Sequence, residues 1–200
     1  MRSVLVPLLA AAFVTVAAGA RAQDAPTPMP TRDVAVTYRL TDVNAPGRED
    51  KIKLTFAEQS ERVRLDMFAY STATVPYITV IYDRVKGRFL TLEYAQQAAH
   101  PANPKTVANP GALLAAAREF TRQGDETLLE TPCTDWAFTN ADGARGTACV
   151  TDFGVVLRLT REGQQPVTME AVTLEFASPP ESVFLPPADL RLVVPKQPHH

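Results

Sequence analysis

From Asp33 onward, apolar and polar residues alternate along the chain with a period of two. In DVAVTYRL, Val34, Val36, Tyr38 and Leu40 share one face. In KIKLTF, Ile52, Leu54 and Phe56 alternate with Lys51, Lys53 and Thr55. In RVRLDM, Val63, Leu65 and Met67 alternate with Arg62, Arg64 and Asp66. Alternation of this kind marks half-buried strands of an antiparallel sheet. The NAPG segment, Asn44 to Gly47, sits in the first connection, and short connections favour hairpins over crossovers. The next two strands read differently. YITVIY, Tyr77 to Tyr82, is apolar on both faces, and RFLTLEY, Arg88 to Tyr94, nearly so, with DRVKG as the turn between them. A strand apolar on both sides needs cover on both, so a helix, a ligand or a partner is expected on the second face.

One helix is expected. Asn109-Pro110 reads as an N-cap followed by proline in the first helical position. Leu113, Leu114, Ala117 and Phe120 then form an amphipathic stripe, and Gly124 supplies a stop. The polar stretch before it, Ala95 to Ala108, reads as a loop leading into a lid made by this helix. Further strands are expected near Glu126 to Thr131, on both sides of the turn at Asn140 to Gly143, at Val155 to Thr160 and at Val167 to Ala177. The tail SPPESVFLPPADLRLVV is expected along the rim of the sheet. The fold class expected is mainly β: a curved antiparallel sheet, or half-barrel, of about ten strands with one amphipathic helix packed against it.

Both cysteines and the only tryptophan lie in TPCTDWAFTNADGARGTACV. A hairpin symmetric about Ala141 places Cys133 opposite Cys149, Thr147 opposite Asp135 and Arg145 opposite Ala137. Opposed Cβ atoms on antiparallel strands lie about 4.5–5.5 Å apart, within a small adjustment of disulfide spacing. A structural disulfide is therefore expected. A Cys-x-x-Cys redox motif is absent, and a zinc site wants four ligands where His100 is the only internal histidine. Trp136 and Phe138 point to the face opposite the cysteines, as core residues or as the lining of an apolar cavity.

The N-terminus changes the setting. Arg2 precedes an apolar run from Val4 to Ala18, followed by the small-x-small patterns Ala18-Gly19-Ala20 and Ala20-Arg21-Ala22. Residues 1–22 read as a secretory signal peptide cleaved between Ala22 and Gln23, too short for a spanning helix. Residues 23–32, QDAPTPMPTR, read as a proline-rich linker. Residues 33–194 are expected to form a single β-rich domain, and 195–200 a disordered tail. Loss of Arg2 and Arg21 leaves 18 of the 20 basic residues against 22 acidic ones, a net charge of −4. A mildly acidic exported chain carries no electrostatic footprint for nucleic acid, and no basic amphipathic stretch suggests stable membrane insertion after cleavage.

Three segments resemble a known group: DVAVTYRL, the central PCTDW…GTACVTDFGVVLR and the closing ESVFLPP. They are similar to an exported bacterial family catalogued as a domain of unknown function, itself similar to the outer-membrane lipoprotein carrier (LolA/LolB-like) superfamily. TDFGVVLR, Thr151 to Arg158, resembles that group's D-x-x-G-x-x-x-R turn in Gly154 and Arg158, with Thr151 standing where the pattern has its acidic residue. The resemblance covers Asp33 to Val194 and implies a half-barrel whose concave face is covered by helices. No functional residue is carried over from it.

Catalytic signals are sparse. His100 lies in AAHPAN, and His199 and His200 end the chain. There is no Gly-x-Ser-x-Gly elbow, phosphate loop or His-Glu-x-x-His. The pairs Glu49-Asp50 and Asp125-Glu126 read as solvated charges. No enzyme, cofactor or metal is expected. The function expected is an exported periplasmic binding module that holds a lipid or acyl moiety in the concave face of its sheet. The lining expected is Val63, Leu65, Ile78, Val80, Leu90, Leu92 and Trp136, with Leu113, Leu114, Ala117 and Phe120 on the lid helix. The alternative is an envelope interaction or sensor domain with a self-plugged cavity, acting through protein contacts. The partners expected are accordingly a lipid or lipoprotein, or an envelope protein.

Overall fold

The computed structural model describes residues 25–27, 29–42, 47, 49–101, 114–163 and 166–193, with the backbone alone at residue 42. The expected signal peptide, Leu113 and the expected helix start at Asn109-Pro110 lie outside these residues, as does the tail 195–200. Among the described residues, one curved sheet of twelve strands, not closed, makes up the fold, two more strands than the ten expected. In chain order the strands are β1 (Val34–Asp42), β2 (Glu49–Ala57), β3 (Arg62–Phe68), β4 (Ile78–Asp83), β5 (Arg88–Glu93), β6 (Ala98–Pro101), β7 (Ala117–Leu128), β8 (Thr131–Asn140), β9 (Arg145–Val150), β10 (Val156–Arg161), β11 (Val167–Glu175) and β12 (Arg191–Leu192). Their order across the sheet is β12-β6-β5-β4-β3-β2-β1-β11-β10-β9-β8-β7. Two meanders are therefore joined where β1 pairs β11. All pairings are antiparallel except β12 on β6.

The sheet curls around one face. Val34, Val36 and Tyr38 of β1 share a buried cluster there with Val80 of β4, Trp136 and Phe138 of β8, and Leu159 of β10. Side chains so far apart in strand order meet only if the sheet bends round them. The right-handed twist of adjacent strands drives that bend as it accumulates over many strands. The alternation read in β1, β2 and β3 selects this inner face.

The second face of β3–β6 has its own cover. A 3-10 turn at Glu181–Phe184 seats Phe184 against Ala57, Ile81, Leu92 and Ala99, with Leu90, Val183 and Leu190 beside it. The cover needed by the doubly apolar strands is thus the chain's own C-terminal tail. A polar clamp fixes it. Arg64 donates through Nε to both carboxylate oxygens of Asp66 at 2.9 Å and through Nη1 to the Val183 carbonyl at 2.7 Å. The Thr79 hydroxyl, fully buried, donates to Asp66 at 2.5 Å. Buried polar groups need such partners, and here the partner carbonyl belongs to the tail.

The amphipathic helix is corrected. Among the described residues only Leu114 and Ala115 are α-helical, and Ala117 and Phe120 belong to β7. The helical spacing has a specific origin. A β-bulge between Ala117 and Glu119 adds one residue to β7, so Ala117 opposes Asn140 and Phe120 opposes Phe138. Both therefore point inward at a separation of three, as two helical positions would. Gly124 is not a stop; it lies at a second bulge, between Arg122 and Gly124. Local helix propensity yields to the ladder and side-chain row that β8 offers. Phe120 packs edge-on to Trp136, with ring centroids 6.4 Å apart. The expected loop Ala95–Ala108 is corrected in part as well, since Ala98–Pro101 forms β6.

Candidate functional site

Cys133 and Cys149 are joined, with Cα atoms 5.4 Å apart. The register differs from the expected one by two residues. Asn140 donates its N–H to the Ala144 carbonyl at 2.8 Å, and Gly143, at φ 80°, closes the turn. The hairpin is centred on Asp142, so Asp135 opposes Cys149 and Ala137 opposes Thr147. A three-residue loop with glycine in the left-handed position explains the shift. The disulfide therefore spans a diagonal rather than a directly opposed pair. Such a bond fits an oxidising compartment.

The outer face beside this bond carries charge. Arg158 donates to Glu126 Oε1 at 3.1 Å and Asp135 Oδ1 at 3.4 Å, and to Glu126 Oε2 at close range. The Arg158 guanidinium holds the Glu126 carboxyl below its ordinary range, whereas desolvation raises that of Asp135. Glu126, Asp135 and the Cys149 sulfur lie within 4.8 Å of one another. The sulfur is committed to the disulfide and Arg158 already supplies the positive charge, so the trio does not favour a cation.

The inner face is organised in rows. One row runs Leu174, Val36, Leu54, Leu65, Val80, Thr91, His100, from β11 to β6. A second runs Ala171, Tyr38, Ile52, Met67, Ile78, Glu93, Ala98. Each is apolar across its strands until it reaches β5. There Glu93 and His100 meet diagonally, with His100 Nε2 3.2 Å from Glu93 Oε1 and both side chains partly exposed. Tyr82 stacks on Phe89 at 3.8 Å in the neighbouring row. Two buried, largely apolar rows thus end in a hydroxyl, an imidazole and a carboxylate.

Of the lining expected from sequence, Val63, Leu65, Ile78, Val80 and Trp136 come together in the inner cluster. Leu90 and Leu92 do not. They lie on the opposite face under Phe184, and a single surface cannot include all seven. Leu114 is fully buried in the inner cluster, with Ala117 and Phe120 packed against it. The sequence does not group Glu93, Thr91 and His100, because the short AAHP segment that forms β6 carries no alternation of its own. The signal available was the order Phe89, Thr91, Glu93, which grades from apolar to charged along one face of β5.

No family model matches the chain, and no curated protein matches it. Solved structures do. An uncharacterized conserved protein from Thermus thermophilus superposes with a TM-score of 0.60 at 9% identity, covering 82% of this chain and 91% of that one. MucB in the MucA/MucB complex of Pseudomonas aeruginosa superposes with a TM-score of 0.54 at 16% identity, covering 80% of this chain and 58% of that one. The chain thus spans somewhat over half the length of that neighbour. A LolA superfamily protein from Nitrosomonas europaea also matches, as the resemblance implies, at a TM-score of 0.44 and 7% identity, too weak a likeness to carry an argument. What the first two likenesses establish is a shared fold.

Proposed function

We infer that the protein is an exported, periplasmic binding module, not an enzyme, and that the inner face of its sheet takes an amphiphile. The observation that carries this reading is the pair of apolar rows ending in Thr91, Glu93 and His100. Leu54, Leu65 and Val80 are buried under the chain's own side chains, so an acyl chain enters by displacing part of that cover, and its own surface gains about 25 cal/mol for each Å² removed from water. A hydrogen-bonding head group then falls beside the Thr91–Glu93–His100 corner, where it exchanges water for fixed donors and acceptors. Apolar surface with a few placed polar groups is the usual composition of small-molecule sites. The disulfide and the apolar N-terminal segment both support export.

The test is native mass spectrometry of the chain from Gln23, purified from a periplasm without detergent, followed by titration with a fluorescent fatty acid. A co-purified lipid, or saturable uptake weakened by Glu93→Ala/His100→Ala, supports the reading. A clean apoprotein that takes up no fatty acid removes it.

A second reading has its own observation. Trp136, Phe138, Leu114 and Leu159 already fill the inner cluster with little or no exposure. A self-filled face would leave binding to the rim and edges, toward an envelope protein. The structural neighbour MucB is described in complex with MucA, which keeps that mode of action in view for this fold. In vivo crosslinking separates the two readings.

A further inference from the structure

The proline-rich leader, expected as a linker, lies against the sheet from Met29 onward. Met29 packs on the inner cluster and Pro30 is buried. Pro30 has no N–H to satisfy, which suits a buried position. Thr31 donates its N–H to the Phe153 carbonyl at 2.9 Å. Arg32 places its guanidinium 4.3 Å from the Phe176 ring centroid and 5.4 Å from that of Phe153. The two rings form an edge-to-face pair with centroids 5.2 Å apart.

The receiving loop is Thr151–Gly154, part of the TDFG motif. Thr151 braces it, accepting Gly154 N–H at its carbonyl and Val155 N–H at its hydroxyl, each at 2.9 Å. Gly154 has φ 80°, and a Cβ there would lie 2.0 Å from the Met29 carbonyl oxygen and 3.2 Å from that of Thr27. The glycine serves the turn and also lets the leader backbone pass close by. These parts amount to a reader: an apolar seat, a backbone acceptor, a bare glycine and an aromatic pair for a cation.

We propose that this groove, formed by Phe153, Gly154 and Phe176 at one end of the sheet, is a peptide-binding site that the chain's own leader occupies in cis. Its partner in trans is an extended segment of another protein with an apolar residue three positions before an arginine or lysine. The spacing is that of Met29 and Arg32. The contacts holding the leader are few: one backbone hydrogen bond from Thr31 to the Phe153 carbonyl, with the Thr31 hydroxyl 3.4 Å from the same oxygen, the Arg32 guanidinium over two rings, a partly buried methionine and one buried proline. A bound state built from such terms exchanges readily. The leader then acts as a built-in competitor that raises the affinity a partner must have. The site lies apart from the Thr91–Glu93–His100 corner and does not depend on what the inner face holds.

The experiment uses a fluorescent peptide of residues 25–33, APTPMPTRD, added to the mature chain and to a Met29→Gly/Arg32→Gly variant of it. Near-ultraviolet circular dichroism of Trp136 and thermal melting show that the variant is folded. If the leader occupies the groove about 90% of the time, the peptide binds the variant about tenfold more tightly than the parent chain. Glycine at both matching peptide positions abolishes that binding, and so does Gly154→Ala added to the variant, whose Cβ blocks the groove. A folded variant that binds no peptide overturns the proposal. Binding indifferent to the peptide's methionine and arginine, or to Gly154→Ala, overturns it equally. Binding of the leader between two copies appears as a dimer in light scattering of the parent chain; with trans peptide binding absent, that result also refutes a partner site.

Discussion

Removing the Cys133–Cys149 bond tests the reading of the central hairpin as a covalently stapled unit. The bond closes a loop of sequence separation 16. Cross-linking a loop of that size removes about 10 cal/mol/K from the unfolded ensemble, which is about 3 kcal/mol at 25 °C. Both sulfurs are buried, Cys149 completely. Replacing the pair by serine would therefore bury two hydroxyls, and alanine is the cleaner substitution. The hairpin keeps its ladder in either form, because Thr134, Asp135, Trp136 and Ala137 pair with Val150 to Thr147 through the backbone. The loss thus lies mainly in the unfolded state. Cys133→Ala/Cys149→Ala is expected to lower stability by about 3 kcal/mol, and the melting temperature by roughly 6–12 °C. Urea titration of the two chains, read by Trp136 fluorescence, measures the change. A parallel titration of the parent chain in reductant leaves the buried volume nearly unchanged and isolates the crosslink. A loss below about 1 kcal/mol in both comparisons would refute the argument, since other effects of substitution commonly reach that size.

Further expectations concern the core, the tail and pH. Leu159→Ala, at a fully buried position, is expected to cost about 2–5 kcal/mol in urea titration. Gly146→Ala would place a Cβ 2.3 Å from the Thr160 carbonyl oxygen and 2.5 Å from the Phe138 ring, and is expected to cost about 1–3 kcal/mol or prevent folding. Asp66→Ala leaves Arg64 and Thr79 without their shared carboxylate. Earlier amide exchange at Val183 to Leu185 than in the parent chain is expected, because Arg64 no longer holds the tail rigidly. Acid is expected to weaken the fold. Hydrogen bonds from Ser178 and then the Glu58 backbone lower the Asp33 carboxyl, and those from Thr134 and then Arg122 lower Asp125. A carboxyl lowered in the folded state adds stability above its unfolded value, near pH 4, and loses it as pH falls through the folded value. Desolvation raises Asp135, which has the opposite sign and relieves a small penalty on protonation. Melting temperature measured from pH 6 to pH 2 is expected to fall mainly below about pH 4, and Asp33→Asn to flatten that fall.

Strands β1, β2 and β3 were legible because each must bury one face and wet the other, and a period of two records that demand directly. The cysteine pair was legible because the hairpin that joins Cys133 to Cys149 follows from one short stretch of sequence. The hairpin register was legible only to within two residues. Its centre depends on which loop length places Gly143 in the left-handed position, and both lengths fit the letters. β7 misled for a physical reason: a bulge reproduces at Ala117 and Phe120 the inward spacing of a helix, and only the partner strand reveals it. Strands β4 and β5 show apolar residues on both sides, so their letters cannot say which face meets the core. That choice fell to the tertiary structure, which sent Val80 inward and left Leu92 to Phe184 of the tail. The sequence by itself determined a β-rich, disulfide-bonded chain with an apolar N-terminal segment, because periodicity, cysteine count and composition are local properties. Only the tertiary structure decided the polar corner at Glu93 and His100 and the seat of Met29 and Arg32, because each joins residues that meet only when distant strands pair.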